Sequence, residues 1–207
     1  MKKYVDKFHF IINEQPNFSA VSQAQKACEA GGKWIQYRCL HKSDESLLED
    51  IHQIAQVCDD WGTTLIVTNH IHLAGKADIQ GFHLEDPEVD IKVIRAQLGD
   101  SYTIGVSAMD IDRLVKMAQA GADYIGLGPF AKTVTKPNNY PLITRETYVE
   151  AVNKLIMEGL DTPIIAVGGI TVEDLDLLNT TGIHGIAASA ALVHATDFDE
   201  AYSAFLR

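Results

Sequence analysis

Strand-like and helix-like segments alternate along this chain from one end to the other. Eight short apolar runs bounded by glycine, polar or charged residues predict strands at Phe8–Ile12, Trp34–Tyr37, Thr64–Val67, Gly81–Leu84, Tyr102–Val106, Tyr124–Leu127, Ile164–Val167 and Gly185–Ala188. Periodic helical segments separate these runs. This alternation predicts an α/β protein, a (β/α)8 TIM barrel forming a single domain over residues 1–207. The rival fold, a doubly wound open sheet, would carry G-x-G-x-x-G after its first strand, and the sequence has no such motif there.

The clearest predicted helix runs from Asp44 to Trp61. Its apolar residues recur on one helical face, at Leu47, Leu48, Ile51, Ile54, Ala55, Cys58 and Trp61. Ser43 precedes it as a candidate N-cap. A second recurring pattern is a glycine followed by a short loop and a buried strand, at Gly121 and Gly182 and more weakly at Gly75. These glycines predict helix ends that feed directly into strands.

Overall charge limits the partners that the chain could have. The formal net charge is −11, from 17 Lys and Arg against 28 Asp and Glu, which argues against binding of nucleic acid or of an anionic membrane. No apolar run reaches the length of about 18 residues that a membrane span needs. The three cysteines have no metal-like spacing, and the basic N-terminus lacks the long apolar segment of a signal peptide. We therefore expect a cytoplasmic protein without a membrane anchor, either monomeric or a homo-oligomer.

Polar residues concentrate where the predicted strands end. They include Gln36 and Arg38 after the second strand, Asn69 and His70 after the third, His83 and Glu85 at the fourth, Ser107 at the fifth and Ser189 after the eighth. In a (β/α)8 barrel the carboxyl ends of the strands carry the chemistry. We therefore expect these side chains to surround one site.

The loop after the sixth strand is the strongest sign of a phosphate ligand. Lys132, Thr133, Thr135 and Lys136 offer two ammonium groups and two hydroxyls within a short segment. Gly168 and Gly169 follow the seventh strand and precede a predicted helix start, so their bare backbone can approach an anion closely. Backbone amides near Ala188 and Ser189 would complete the cup. This pattern predicts an enzyme that acts on a phosphorylated small molecule.

Several of these residues have a structural alternative. Arg38 is either a structural ion-pair partner or a bidentate phosphate clamp, and Asn69 either caps a loop or contacts the ligand. Ser107 either donates to a phosphate or caps the next helix. Glu85, Asp86, Glu88 and Asp90 are either magnesium ligands or acidic residues favoured at a helix N-terminus.

The chain resembles the thiamine phosphate synthase/TenI family of (β/α)8 barrels from about Phe8 to Leu192. The motifs that carry the resemblance are Gln36-Tyr-Arg38, Thr68-Asn69, Gly81-Phe-His83-Leu84, Ile104-Gly-Val-Ser107, Gly121-Ala-Asp-Tyr-Ile-Gly-Leu-Gly-Pro129, Thr133-Val-Thr135-Lys136 and Ala166-Val-Gly168-Gly169-Ile170. Taken together in this order, the motifs are specific for the family, although no single motif is.

The resemblance implies a synthase reaction. Hydroxymethylpyrimidine diphosphate loses pyrophosphate, and the thiazole phosphate nitrogen captures the pyrimidine cation. By resemblance, the pyrimidine diphosphate is held by Gln36, Arg38, Asn69, Ser107 and Lys136, of which Arg38, Ser107 and Lys136 are the catalytic candidates. The thiazole phosphate is held by Thr133, Thr135 and Gly168, next to Gly169, with backbone amides near Ala188 and Ser189. The resemblance also implies Mg²⁺, with His70 and Glu88 at the positions of the family's two metal-binding aspartates.

The sequence departs from the family pattern at three positions. Leu40 replaces a lysine, with His41 and Lys42 close by, His70 replaces a metal-binding aspartate, and Met109 replaces the histidine that the TenI branch uses for thiazole tautomerisation. Besides the synthase, two alternatives therefore stay open: a TenI-like thiazole phosphate tautomerase, which Met109 disfavours, and a non-catalytic protein that binds thiazole phosphate.

Overall fold

Eight parallel strands close into a barrel in the order in which they occur along the chain. The structure is a computed structural model that describes residues 2–132 and 140–207. The strands are β1 Phe8–Ile12, β2 Trp34–Tyr37, β3 Thr64–Thr68, β4 Gly81–Leu84, β5 Thr103–Ala108, β6 Tyr124–Leu127, β7 Ile164–Val167 and β8 Gly185–Ala188. The predicted (β/α)8 barrel is thereby confirmed, with strand ends that differ from the prediction by at most two residues.

Helices cover the outside of the barrel. They are α1 Ala20–Glu29, α2 Asp44–Trp61, α3 Ile91–Leu98, α4 Ile111–Gln119, α5 Arg145–Met157, α6 Leu175–Asn179, α7 Ala190–Val193 and α8 Phe198–Phe205. The connection from β3 to β4 contains a 3-10 turn, Ile71–Leu73, in place of an α-helix. This connection spans residues 69–80.

Alternation along the strands divides the apolar residues between two layers. In β2, Trp34 points into the barrel, where it packs with Tyr124 and Ile165, whereas Ile35 and Tyr37 pack outward against the helices. The outward layer forms the larger core. Because successive side chains of a strand point to opposite faces, Gln36 is directed into the barrel like Trp34. The same alternation determines which side chains point into the barrel at the ends of the other strands.

The predicted bounds of α2 are confirmed by its caps. The hydroxyl of Ser43 accepts a hydrogen bond from the amide of Ser46, and Gly62 ends the helix with φ of 59°. Four aliphatic residues of the predicted face and Cys58 are buried, at Leu47, Ile51, Ile54 and Ala55. Trp61, the last residue of the helix, is 42% exposed, so it is not part of the buried face that the sequence predicts.

The predicted glycine junctions are also confirmed. Gly121 and Gly182 have φ values of 95° and 81°, in the left-handed region that favours glycine, and β6 and β8 begin shortly after them. These turns let each helix lead directly into the next strand. Among the described residues, no helix combines the length and the apolar character that crossing a membrane requires.

Candidate functional site

A cavity of about 340 Å³ lies at the carboxyl end of the barrel. Seven of the predicted site residues line it, namely Gln36, Arg38, Ser107, Gly168, Gly169, Ala188 and Ser189, together with Lys132. The strand ends therefore converge on one site, as the one-ended distribution of polar residues predicts. Thr133, Thr135 and Lys136 lie outside the described residues, although Lys132 at the start of their segment is on the cavity wall.

Arg38 is engaged in a bidentate ion pair. Its Nε and Nη2 atoms each donate to a different carboxylate oxygen of Glu85, both at 3.0 Å. The side chains are only 16% and 13% exposed, and both residues line the cavity. Arg38 was expected to be either a structural ion-pair partner or a phosphate clamp, and the structure contains the ion pair. An anionic ligand that is to use this guanidinium must therefore compete with Glu85.

Gln36 precedes Arg38 by two residues, and its side chain lies deeper in the barrel. Its Nε2 donates to the hydroxyl of Thr68 at 2.9 Å, and both residues are buried. This bond fixes the amide plane, because only the nitrogen of the amide can donate. Gln36 also lines the cavity, and its amide oxygen is left as the acceptor of this side chain.

A hydrogen-bonded relay crosses the barrel interior from β5 to β6 through β4. His83 Nε2 lies 3.0 Å from the hydroxyl of Ser107, and Nδ1 lies 3.1 Å from that of Tyr124. Burial raises the pKa of Tyr124, so its phenol stays neutral and can donate. When it donates to Nδ1, Nε2–H donates to Ser107, whose own proton is then directed elsewhere. In this tautomer the Ser107 hydroxyl can donate its proton to a ligand.

The glycines of β5 and β6 provide the space for this relay. A Cβ atom at Gly105 would overlap the ring of Tyr124, and one at Gly126 would lie 3.3 Å from His83 Cε1. The helix-capping alternative for Ser107 is wrong, because Asp110 caps α4 by accepting from Arg113 N. The sequence alone assigns Tyr124 no functional role. Its position on the same strand face as Gly126 was the available signal.

His9 forms part of the cavity floor. Its ring stacks on Trp34 with a centroid distance of 4.4 Å, and its Nε2 lies 3.0 Å from the carbonyl oxygen of Asp6. Burial lowers the pKa of His9 well below its usual value, so the imidazole is neutral. The sequence alone places His9 only within a strand, because a buried histidine has no local sequence signal.

Gly168 and Gly169 both adopt a backbone conformation that favours glycine. Their φ values are 102° and 65°. A Cβ atom would lie 2.8 Å from Pro129 Cα at the first position and 2.8 Å from the Lys132 carbonyl oxygen at the second. Only glycine therefore allows the turns after β6 and β7 to approach each other. Ala131 N also donates to the Gly168 carbonyl at 2.8 Å, which binds the two turns together.

Ser189 borders the cavity at the end of β8. Its hydroxyl accepts a hydrogen bond from Asn13 Nδ2 at 3.0 Å, so β1 and β8 are linked at this edge. Ser189 precedes the short helix α7, whose first residues Ala190 and Ala191 also line the cavity. The small side chains here leave the backbone close to any bound ligand.

Asn69, His70 and Glu88 are not among the cavity-lining residues. Asn69 has φ of 62°, and its Oδ1 accepts from the amide of Glu85 at 3.0 Å, so it braces the loops after β3 and β4. His70 Nε2 lies 2.8 Å from the carbonyl oxygen of Cys39. Glu88 is exposed beyond β4. None of these three predicted site residues therefore lies on the cavity wall.

Lys42, a basic residue close to Leu40, is engaged in ion pairs with carboxylates that do not line the cavity. Lys42 Nζ lies 2.5 Å from Asp50 Oδ2 and 3.5 Å from Glu14 Oε1. The hydrogen bond to Asp50 raises the pKa of Lys42, so its ammonium stays charged. Leu40 itself is 40% exposed. Within the described residues, the cations on the cavity wall are Arg38 and Lys132.

Comparison with known proteins gives a consistent result. The sequence profile described as thiamine monophosphate synthase matches residues 8–192. A protein of Bacteroides fragilis named thiamine-phosphate synthase is 35% identical over 188 residues, covering 91% of this chain and 92% of that protein. A protein of the same name from Flavobacterium johnsoniae is 30% identical over 195 residues, covering 94% of this chain and 91% of its own.

The barrel is also similar to a solved structure. The structure of thiamine phosphate pyrophosphorylase from Pyrococcus furiosus superposes with a TM-score of 0.84 at 22% identity, covering 97% of this chain and 94% of that one. At this identity the likeness establishes the fold. The sequence matches, which extend over nine-tenths of the chain at 30–35% identity, establish the relationship. The chain belongs to the thiamine monophosphate synthase family.

Proposed function

We propose that this protein is a thiamine-phosphate synthase. It would join hydroxymethylpyrimidine diphosphate to thiazole phosphate, releasing pyrophosphate and thiamine phosphate. The observation that carries the proposal, beside the family relationship, is that one cavity contains both a guanidinium at the end of β2 and a bare glycine backbone at the end of β7. Two anionic groups can therefore be bound at two places in the same enclosed site.

Arg38 and Ser107 would hold the diphosphate and the pyrimidine. Arg38 presents a planar fork suited to two phosphate oxygens once Glu85 has been exchanged for the ligand. Ser107, oriented by His83, would donate one hydrogen bond. Gln36 would accept from an amino group of the pyrimidine through its oriented amide oxygen. Asn69 would contribute by bracing the loop that carries Glu85.

The turn at Gly168 and Gly169 would hold the thiazole phosphate, together with backbone near Ala188 and Ser189. We also assign Thr133, Thr135 and Lys136 to phosphate binding, on the resemblance alone. Breaking the bond between the pyrimidine methylene carbon and the diphosphate leaves a cation, and its capture by the thiazole nitrogen forms the new bond. Ile11 and Val167, both on the cavity wall, would keep water away from that cation.

The residues present fit Mg²⁺ only in part. Mg²⁺ prefers carboxylate, water and phosphate oxygens, and Glu88 is an exposed carboxylate of that kind. His70 offers an imidazole, which suits other metals, and its Nε2 already bonds the Cys39 carbonyl. We therefore propose that a required Mg²⁺ is bound mainly by the diphosphate itself and Glu88. An Mg²⁺ titration of activity with the Glu88→Gln variant tests this assignment, and an unchanged Mg²⁺ requirement would contradict it.

The central experiment supplies purified protein with both precursors and Mg²⁺ and measures thiamine phosphate and pyrophosphate. We expect product from the wild type and a rate about 10²–10³-fold lower in Arg38→Gln, the range for losing one charged contact to the leaving group. The Lys154→Gln variant, altered at an exposed cation on α5, is the control and should keep its rate. Absence of product with retained thiazole phosphate binding would sink the synthase proposal and favour the binding-protein alternative.

We further propose that residues 1–207 form one barrel domain that acts in the cytoplasm on small phosphorylated substrates. The net charge of −11 supports the absence of a nucleic-acid partner. A single cooperative unfolding transition is expected, and two separated transitions would contradict the single domain. Cell fractionation tests the location, and light scattering tests whether the protein is a homo-oligomer.

A further inference from the structure

A group of potential metal ligands lies at the rim of the barrel, outside the cavity. Asp44 at the start of α2, His70 after β3 and His72 in the following 3-10 turn each offer one ligand atom. These atoms all lie within 4.8 Å of one another. The cluster is formed by two connections that meet on the side where β3 leads to β4 without a helix.

The imidazole of His70 is already oriented by a backbone contact. Its Nε2 lies 2.8 Å from the carbonyl oxygen of Cys39, and a carbonyl oxygen only accepts. Nε2 therefore carries the proton, and Nδ1 carries the lone pair. Metal-binding histidines are usually held in this way, with the second ring nitrogen donating to a carbonyl or a carboxylate.

The other two ligands already contact each other. His72 Nε2 lies 2.9 Å from Asp44 Oδ2, and the side chains are 49% and 59% exposed. The neighbouring Leu73 is fully buried and fixes the 3-10 turn, and the Ser43 cap fixes the start of α2. The backbone is thus held in place, while the exposed side chains can turn toward a shared ion.

The chemistry of the donors indicates which ion fits. Two imidazoles and one carboxylate suit divalent transition metals such as zinc, iron, cobalt and nickel, whereas Mg²⁺ prefers oxygen ligands alone. With metal–ligand bonds of about 2.0–2.1 Å, tetrahedral ligand atoms lie roughly 3.3 Å apart, so the cluster needs only a small contraction. Three protein ligands would leave at least one position for water or a substrate atom.

We propose that Asp44, His70 and His72 form a binding site for one divalent transition-metal ion of the zinc type. The site is separate from the Mg²⁺ that would accompany the diphosphate. It lies next to the cavity, because Cys39, whose carbonyl holds His70, directly follows Arg38 on the cavity wall. The proposal goes beyond the synthase function and does not depend on it.

Metal binding without substrates tests the proposal. The purified, chelator-treated protein is titrated with Co²⁺ by visible absorption and with Zn²⁺ by calorimetry. We expect one equivalent of each to bind, with d–d absorption of low-coordinate Co²⁺. His72→Ala and Asp44→Asn should each weaken binding at least about 10-fold. Both side chains are largely exposed, so both variants should fold, which circular dichroism checks.

His52→Ala is the matched control, because His52 is an exposed histidine on α2 outside the cluster. Its metal affinity should equal that of the wild type. The proposal is overturned when the wild type shows no saturable binding of one equivalent, when His72→Ala binds as tightly as the wild type, or when His52→Ala loses as much affinity as His72→Ala. Since no thiamine precursor is present, failure of the synthase reaction would leave this result unaffected.

Discussion

The ion pair between Arg38 and Glu85 opposes the diphosphate binding that we propose, and replacing Glu85 by glutamine should reveal that competition. The two hydrogen bonds measure 3.0 Å each, and the side chains are 16% and 13% exposed. Opposite charges about 4 Å apart interact by roughly 4 kcal/mol at the effective dielectric constant of about 20 that describes protein sites. Glutamine keeps the shape and one neutral acceptor, so only part of this attraction is lost.

We therefore expect Glu85→Gln to bind inorganic pyrophosphate about 10- to 100-fold more tightly, corresponding to roughly 1.4–2.7 kcal/mol. The same change should lower the free energy of unfolding by about 2–3 kcal/mol, because it removes the counter-charge of a largely buried guanidinium. Calorimetry with pyrophosphate and Mg²⁺ at constant salt measures the first effect. Urea unfolding measures the second.

Two further variants make the result specific. Glu146→Gln removes the same charge from an exposed side chain in the first turn of α5, and it should leave pyrophosphate affinity unchanged. In Arg38→Gln/Glu85→Gln the gain in affinity should disappear. Equal pyrophosphate affinity in Glu85→Gln and the wild type would refute the competition, and a gain that persists in the double variant would show that Arg38 is not the binding group.

Three other substitutions have outcomes that follow from the structure. The pKa of His9 is well below its usual value. Below about pH 6.5 the imidazole is therefore protonated in the unfolded chain but stays neutral in the folded chain. As the pH decreases further, the free energy of unfolding falls by up to about 1.4 kcal/mol per pH unit. Urea unfolding at pH 7, 6 and 5 should show a shallower loss in His9→Gln, and identical slopes would contradict the assignment. Gly169→Ala should weaken inorganic phosphate binding by about 10-fold in calorimetry. Gly62→Ala introduces a similar backbone strain, at φ of 59°, but has open space around it, so it should cost less stability and leave phosphate binding unchanged. Equal phosphate affinity in the Gly169→Ala and Gly62→Ala variants would contradict phosphate binding at the turn formed by Gly168 and Gly169. Tyr124→Phe removes a buried hydrogen bond to His83 and should cost about 1 kcal/mol or more in urea unfolding, together with a lower kcat/KM, and an unchanged kcat/KM would exclude the relay from the reaction.

The barrel was predictable because its signals are local. Each strand is a short apolar run, and each junction glycine has a conformation that other residues rarely adopt. The predicted end of β5 at Val106 was two residues early, because Ser107 and Ala108 pair with Gly126 and Leu127 of β6. Such an end depends on a neighbouring strand that the local residues do not specify.

Side-chain partnerships in the site were less predictable. Residue type and position indicated that Arg38 and Ser107 would lie at the carboxyl end of the barrel. They did not indicate that Glu85, 47 residues away, would hold Arg38, or that His83 would connect Ser107 to Tyr124. Those contacts depend on the registers that connect β2 to β4 through β3 and β4 to β6 through β5, which the local residues do not specify.

By itself, therefore, the sequence determined the fold class, the order of the strands and the set of polar residues at one end of the barrel, because the period of two along a strand and the glycine turns are encoded locally. Only the tertiary structure decided which of those residues face the cavity and which pair with one another. It separated Asn69, His70 and Glu88 from the cavity wall and brought His70 together with Asp44 and His72. Closing the barrel brings distant strand ends together, and the distances between them follow from the register of all eight strands.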